Sequence, residues 1–168
     1  PVDLLRDDVV VAQAGGRGIP GKHQSLFSDS MSCIVRHDHP RLRDGALSLA
    51  AITELPYVQV SLAQGVVMYA DDSLAAAGIA PPVARTVPGF LPVPFAVEGT
   101  DRFGFVPTRL AQLYGDALGL TVARIPVPLP VLVEAAYWHP SRSDDPAVRW
   151  LVDLLVEVAE VVEFAEEY

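Results

Sequence analysis

The chain has 168 residues, twelve Lys and Arg against twenty-one Asp and Glu, a formal net charge of −9, and 51% apolar residues. That length allows one or two small domains with a real core, and that apolar share excludes a largely disordered chain. The basic residues are outnumbered and scattered along the sequence, which excludes the clustered Lys and Arg of a nucleic-acid-gripping surface.

Asp3 to Asp8 reads as the end of a helix. Val9-Val10-Val11-Ala12 is a continuous apolar run, the pattern of a strand buried on both faces of a parallel sheet. A chain that opens on a helix end feeding a central strand is expected to have lost what preceded it.

Gly16-Arg17-Gly18-Ile19-Pro20-Gly21 matches the dinucleotide pattern G-x-G-x-x-G, and with Lys22-His23 it nearly spells a phosphate-binding P-loop. Both motifs need a helix to open there and present free N–H groups to a phosphate. Lys22 to Phe27 shows no helical period, Pro20 removes an N–H, and His23 cannot replace the magnesium-binding hydroxyl. The segment therefore reads as a surface loop. Leu26 to Arg36 is extended and ends at His39-Pro40. Its Cys33 is the only cysteine. No internal disulfide is possible, and a buried small hydrophobe in a reducing compartment is the expectation. His37 and His39 would share one face of a strand, but two ligands do not make a zinc site, so they read as turn residues.

A second alternation follows. Leu47 to Thr53 reads as a short helix and Tyr57 to Ser61 as a strand. Asp71 or Asp72 caps a helix through Ala77 that Gly78 ends. Val83 to Val87 is a strand bracketed by prolines, residues 93–98 a short helix, and Arg102 to Val106 a strand. Pro107 suits the first turn of a helix ended by Gly119. Thr121 to Ile125 and Val131 to Trp138 are strands. Asp145-Pro146 caps a last helix, with Leu151, Leu154, Leu155, Val158 and Val162 on its packed face and Asp153, Glu157 and Glu160 on its wet one. Strands alternating with helices imply parallel sheets, whose ligands settle beyond the carboxyl ends of the strands. No apolar stretch reaches the length of a membrane span and no leader opens the chain, so a soluble, cytoplasmic protein is expected. No G-x-S-x-G elbow or comparable nucleophile motif occurs, and no enzyme, metal or cofactor is expected.

Ordered short segments carry a resemblance: Asp29-Ser30-Met31-Ser32-Cys33-Ile34-Val35-Arg36 with Asp38-His39-Pro40, Leu55-Pro56-Tyr57-Val58, Val87-Pro88-Gly89-Phe90, Gly99-Thr100-Asp101, Val106-Pro107-Thr108-Arg109-Leu110-Ala111, Leu129-Pro130 through Trp138-His139-Pro140, and Asp145-Pro146 with Arg149-Trp150-Leu151. From about Leu26 to Glu157 the chain resembles the C-terminal effector domain of LysR-type transcription regulators, in the branch of nodulation and aromatic-catabolism regulators. The resemblance implies an α/β fold of two Rossmann-like lobes joined by two crossover strands, like type II periplasmic binding proteins. Lobe I would comprise residues 1–36 and 134–168 and be incomplete at its N-terminus, and lobe II residues 37–133. A small-molecule effector, an organic acid or aromatic compound, would bind between the lobes. The signal would pass to a winged helix-turn-helix absent from this chain, which is the only route to DNA, in a homo-oligomer. Carried over, the ligand-binding residues are Tyr57, Ser61, Gln64, Gly89, Phe90 and Tyr137. A solute-binding protein of an uptake system, with the same lobes, is the alternative.

Overall fold

A computed structural model describes residues 4–14, 19, 21–62, 66–67 and 69–164. The chain forms two compact units, Pro1–Asp29 with Leu132–Tyr168, and Ser30–Val131.

In the first unit, β1 (Val10–Gln13) pairs antiparallel with β8 (Val131–Trp138), Val10 opposite Tyr137 and Gln13 opposite Glu134. The valine run thus forms a strand, but not the doubly buried parallel one its composition predicts. Its partner is the returning strand β8, and Val11 stays 50% exposed. Leu4, Ala135 and Tyr137 make the small core, with Val10, Ala12, Ala14 and Ile19 against it.

After β8, Trp138 Nε1 donates to Ser143 Oγ at 3.3 Å, and Arg142 bonds both Asp8 and Asp145. Asp145 Oδ1 accepts from Ala147 N at 2.9 Å, capping α5 (Pro146–Phe164) as expected from the Asp-Pro pair. The packed face of α5 differs from the expected one. Val148, Val152 and Ala159 are buried, whereas Leu154 and Val158 are exposed alongside Trp150 and Val161. Valines and leucines occupy two faces of this helix, so apolar spacing alone did not single out the buried one.

The strand β2 (Lys22–Arg36) begins directly after Gly21, so no helix opens where the glycine motif would require one; residues 16–18 and 20 of that motif lie outside the described residues. β8 is its neighbour in the sheet order. Its second half belongs to the other unit, where Met31 to Ile34 pair antiparallel with β6 (Phe103–Pro107), and Cys33 to Arg36 with β7 (Leu120–Ala123).

The second unit's sheet runs in the order β5 (Val83–Val87), β3 (Tyr57–Leu62), β6, β2, β7. β3 lies parallel to both β5 and β6, and makes a hairpin with β4 (Val66–Val67). Because side chains alternate along a strand, Val58, Val60, Gly104 and Val106 share one face and Tyr57, Phe103 and Phe105 the other. The first face packs with α3 (Pro92–Val97) and α4 (Thr108–Gly115) around Val93, Ala96, Val97 and Ala111. The second carries three stacked or edge-on rings, Tyr57 to Phe103 at 5.0 Å, Tyr57 to Phe105 at 5.7 Å, and Phe103 to Phe105 at 5.7 Å. Full burial of a phenylalanine contributes roughly 1.5–3 kcal/mol, and each well-placed ring pair about 0.5–1.5 kcal/mol more.

The helix α1 (Leu49–Glu54) is capped by Ser48, whose hydroxyl accepts from Ala51 N at 3.2 Å. Asp71 and Asp72 lie within the first turn of α2 (Tyr69–Ala76) rather than at its cap. Among the described residues β5 pairs only with β3, which leaves it on an edge of the sheet. Four of its five residues are exposed.

Candidate functional site

In the second unit three neighbouring strands, β5, β3 and β6, point their carboxyl ends the same way. Val60 is level with Val87, so Ser61 at the end of β3 borders Pro88-Gly89-Phe90 beyond β5. Phe90 is half-buried against the Val93 and Val97 core, and its carbonyl accepts from Val93 N at 3.0 Å, opening α3. Gly89 has nothing within 4 Å of where a Cβ would stand, so this loop backbone is open to approach.

At the end of β6, Thr108 begins α4 and meets the antiparallel neighbour β2. Its Oγ1 lies 2.8 Å from Ser30 Oγ and 2.8 Å from Ser32 Oγ, and donates to the Ser30 carbonyl at 2.9 Å. A hydroxyl has one proton and two acceptor sites. Thr108 is therefore saturated when both serine hydroxyls donate to it, leaving the Ser30 and Ser32 oxygens with lone pairs to offer. The sequence reading missed this trio. Two serines at i and i+2 on a strand share a face, which was its one local sign.

Tyr57 starts β3 at the opposite end of that strand from Ser61 and is only 3% exposed. Its hydroxyl hydrogen-bonds Asp71, which Gln59 also reaches. Burial first, and then the Asp71 carboxylate, raise the Tyr57 phenol above its ordinary value. Burial raises Asp71 too, against the bonds from Tyr57 and Gln59 that lower it. Tyr137 belongs to the first unit, 6% exposed, with its hydroxyl 3.5 Å from the Gln13 carbonyl and its ring 5.5 Å from that of His23. Gln64 lies outside the described residues. Of the six expected ligand residues, Ser61, Gly89 and Phe90 come together at one set of strand ends.

The amino ends of the same strands are closed differently. Arg36 Nε and Nη2 donate to Asp101 Oδ1 at 3.0 and 2.8 Å, and Nη1 also pairs with Asp38. Arg36 thereby holds the Asp38 carboxyl below its usual value. His39, 3% exposed, lies 3.2 Å from the Asp101 carbonyl and accepts from Arg41 N, and His37 Nδ1 meets the Gly119 carbonyl at 3.0 Å. The histidines brace turns. Among the described residues no cluster of His, Cys, Asp and Glu could hold a metal ion, and no helix is long and apolar enough to cross a membrane.

Comparison with known proteins matches residues 3–160 to the LysR substrate binding domain. The chain is 37% identical over 86 residues to nodulation protein D 1 of Sinorhizobium fredii, an alignment covering 51% of this chain and 27% of that protein. It is 32% identical over 133 residues to the HTH-type transcriptional activator NagR of a Ralstonia species, covering 79% of this chain and 44% of that one. The chain thus spans less than half the length of these curated relatives. Among solved structures it superposes on a probable transcriptional regulator of Pseudomonas aeruginosa, PA0477, with a TM-score of 0.76 and 28% identity, covering 89% of this chain and 49% of that one. The regulatory domain of CcmR from Synechocystis, solved with 2-PG, gives 0.78 at 14% identity over 92% of this chain and 74% of that one. The effector binding domain of QuiR, solved with shikimate, gives 0.71 at 16% over 93% and 73%. These last two establish the fold alone, a mixed α/β fold shared with LysR effector-binding domains of the periplasmic-binding-protein type.

Proposed function

The chain belongs to the LysR substrate binding domain family, and from that premise we propose that it senses a small organic acid or aromatic compound on behalf of a transcription regulator. The observation that carries the reading is that Ser61 borders the Pro88-Gly89-Phe90 loop at the carboxyl ends of β3 and β5, while Thr108, bonded to Ser30 and Ser32, stands at the carboxyl end of the neighbouring parallel strand β6. Such strand ends are where open α/β sheets take ligands.

Ser61 and the Gly89 backbone would orient the polar group of the effector, Phe90 would pack on its body, and the exposed Ser30 oxygen would accept from a ligand hydroxyl, with buried Ser32 holding Thr108 in place. The role of Tyr57, buried at the far end of β3 with its hydroxyl on Asp71, rests on the family resemblance. The roles of Gln64 and of Tyr137 in the first unit rest on the family resemblance. The domains solved with 2-PG and with shikimate support a small oxygen-rich guest. No chemical step is involved. The effector acts by its differential affinity for two conformations, a bias that a linked winged helix-turn-helix in a cytoplasmic oligomer would carry to DNA. An uptake protein is not favoured, because NagR is a transcriptional activator.

Thermal-shift titration of the chain with shikimate and with salicylate tests the reading. A saturable rise in Tm is expected, weakened about three- to tenfold in affinity by Ser61→Ala, the worth of one hydrogen bond. No rise with either compound, or binding indifferent to both Ser61→Ala and Phe90→Ala, overturns it.

A further inference from the structure

The basic residues are scattered in sequence, yet folding collects three of the twelve Lys and Arg around one hollow. It lies in the second unit beside β7, has a volume of about 480 Å³, and is lined by Arg41, Arg43 and Arg124 with Ser48 and the apolar Ala46, Ile125 and Pro126. Among the described residues no carboxylate lines it. We infer that this hollow is a binding site for a small oxyanion, a carboxylate or phosphate, separate from the strand-end site around Ser61.

The backbone holds the two central arginines in place. Asp44 and Gly45, with φ of 49° and 72°, form a tight turn in which Arg43 and Ala46 exchange both main-chain hydrogen bonds at 2.9 Å. Leu47 N then donates to the Arg124 carbonyl at 2.9 Å, and Arg124 N to the Gly45 carbonyl at 2.8 Å. Arg43 and Arg124 thus sit on cross-bonded segments, the two residues 81 positions apart in sequence.

Their side chains are fixed as well. Arg43 Nη1 donates to the Pro40 and Leu42 carbonyls, both at 2.9 Å, and Arg124 Nη2 to the Asp44 carbonyl at 2.5 Å. A guanidinium has five N–H donors. These bonds leave the whole Nε–Nη2 edge of Arg43, the fork that grips a carboxylate or phosphate with two parallel bonds. Neither arginine pairs with a carboxylate among the described residues; Arg41 does, with Glu54 at 2.9 Å. Ser48, which accepts from Ala51 N, keeps its proton to donate.

Like charges gathered in one hollow repel, and a bound anion relieves that repulsion. Because the heads are already held, little ordering is lost on binding. The apolar side of the hollow favours an anion carried on an organic body over a bare one. Its volume lies in the range of small-ligand sites, roughly 300–1,000 Å³. β7 is separated from β3 by β2 and β6, a span of roughly 15 Å at the usual strand spacing, so one small ligand does not fill both sites.

Nitrogen-15 NMR of the arginine Nε–Hε groups of the whole chain tests this directly, with benzoate and inorganic phosphate as probes and sodium chloride as an ionic-strength control. Saturable shifts of the Arg43 and Arg124 signals are expected with both probes, benzoate binding tighter, and not with chloride. Arg43→Gln with Arg124→Gln weakens both at least about tenfold, and Arg43→Lys, which keeps the charge and loses the fork, weakens benzoate by an intermediate factor. Ser61→Ala leaves these shifts unchanged, which separates this site from the strand-end one. Signals that do not move with either probe, or move equally with chloride, overturn the inference without touching the effector reading. Shifts lost on Ser61→Ala also overturn it, since they would belong to the other site.

Discussion

Thr108 Oγ1 and Ser32 Oγ lie 2.8 Å apart although 76 residues separate them, one opening α4 and the other on the long strand β2. Ser32 is 7% exposed, so its hydroxyl depends on this partner. Thr108→Val keeps the shape and removes the oxygen, leaving Ser32 and Ser30 without their shared acceptor. Equilibrium urea unfolding is expected to register a loss of about 1–3 kcal/mol. A loss below a few tenths would mean that water replaces Thr108 at no cost.

Asp71 answers to pH with an inverted sign. Burial raises its folded-state pKa above the unfolded value, so its contribution to stability is full below the unfolded pKa of about 3.9 and is lost as pH rises through the folded one. Asp71→Asn removes that titration while keeping a hydrogen-bonding oxygen for Tyr57. The stability difference, variant minus native chain, is expected to grow in the variant's favour from acid to neutral pH, as read from urea midpoints. A difference that does not change with pH would contradict the assignment.

Cys33 should be inert in the folded chain. It is 1% exposed, and burial pushes its thiol up to about 12, which leaves almost no nucleophilic thiolate at neutral pH. A chromogenic disulfide reagent is expected to label it only after denaturant is added. Stoichiometric labelling of the native chain within minutes would refute this.

Gly104 is where the second unit's sheet and α3 come closest. A Cβ there would lie 2.5 Å from Val93 Cγ1 and 3.6 Å from Val58 Cβ. Gly104→Ala is expected to cost about 1–3 kcal/mol by overpacking. Val93→Ala in the same chain should recover part of that loss, so that the two changes add to less than their sum in a double-mutant cycle.

Much of the fold was legible where proline and apolar runs mark the bounds. Val83–Val87 and Val131–Trp138 are strands over the expected residues, each bracketed by chain-breaking prolines or a histidine-proline pair. The start of α5 was equally plain from Asp145-Pro146. Pairing was not, because the direction of a strand's partner leaves no local trace. Val10–Gln13 has the composition of a central parallel strand and is antiparallel to β8. Ser61, Gly89 and Phe90 were singled out by the family resemblance, and the legible bounds of the strands before them put them at strand ends. The Thr108 contact with Ser30 and Ser32, and the bridge of Ala46 to Arg124, join segments more than seventy residues apart, and no local pattern announces such contacts. For Tyr57, sequence could not say that Phe103 and Phe105 would cover it.

The five-residue strand β5 has one further consequence, for behaviour at high concentration. Its outer rim of amide and carbonyl groups is a template that a neighbouring molecule could extend, the first step towards fibrils. Pro81-Pro82 before it and Pro88 after it cannot donate to such a ladder, and Arg85 puts a cation in its middle. A foreign strand docking there would run out of partners within two turns of the pleat, so concentrated preparations are guarded against growing from this rim.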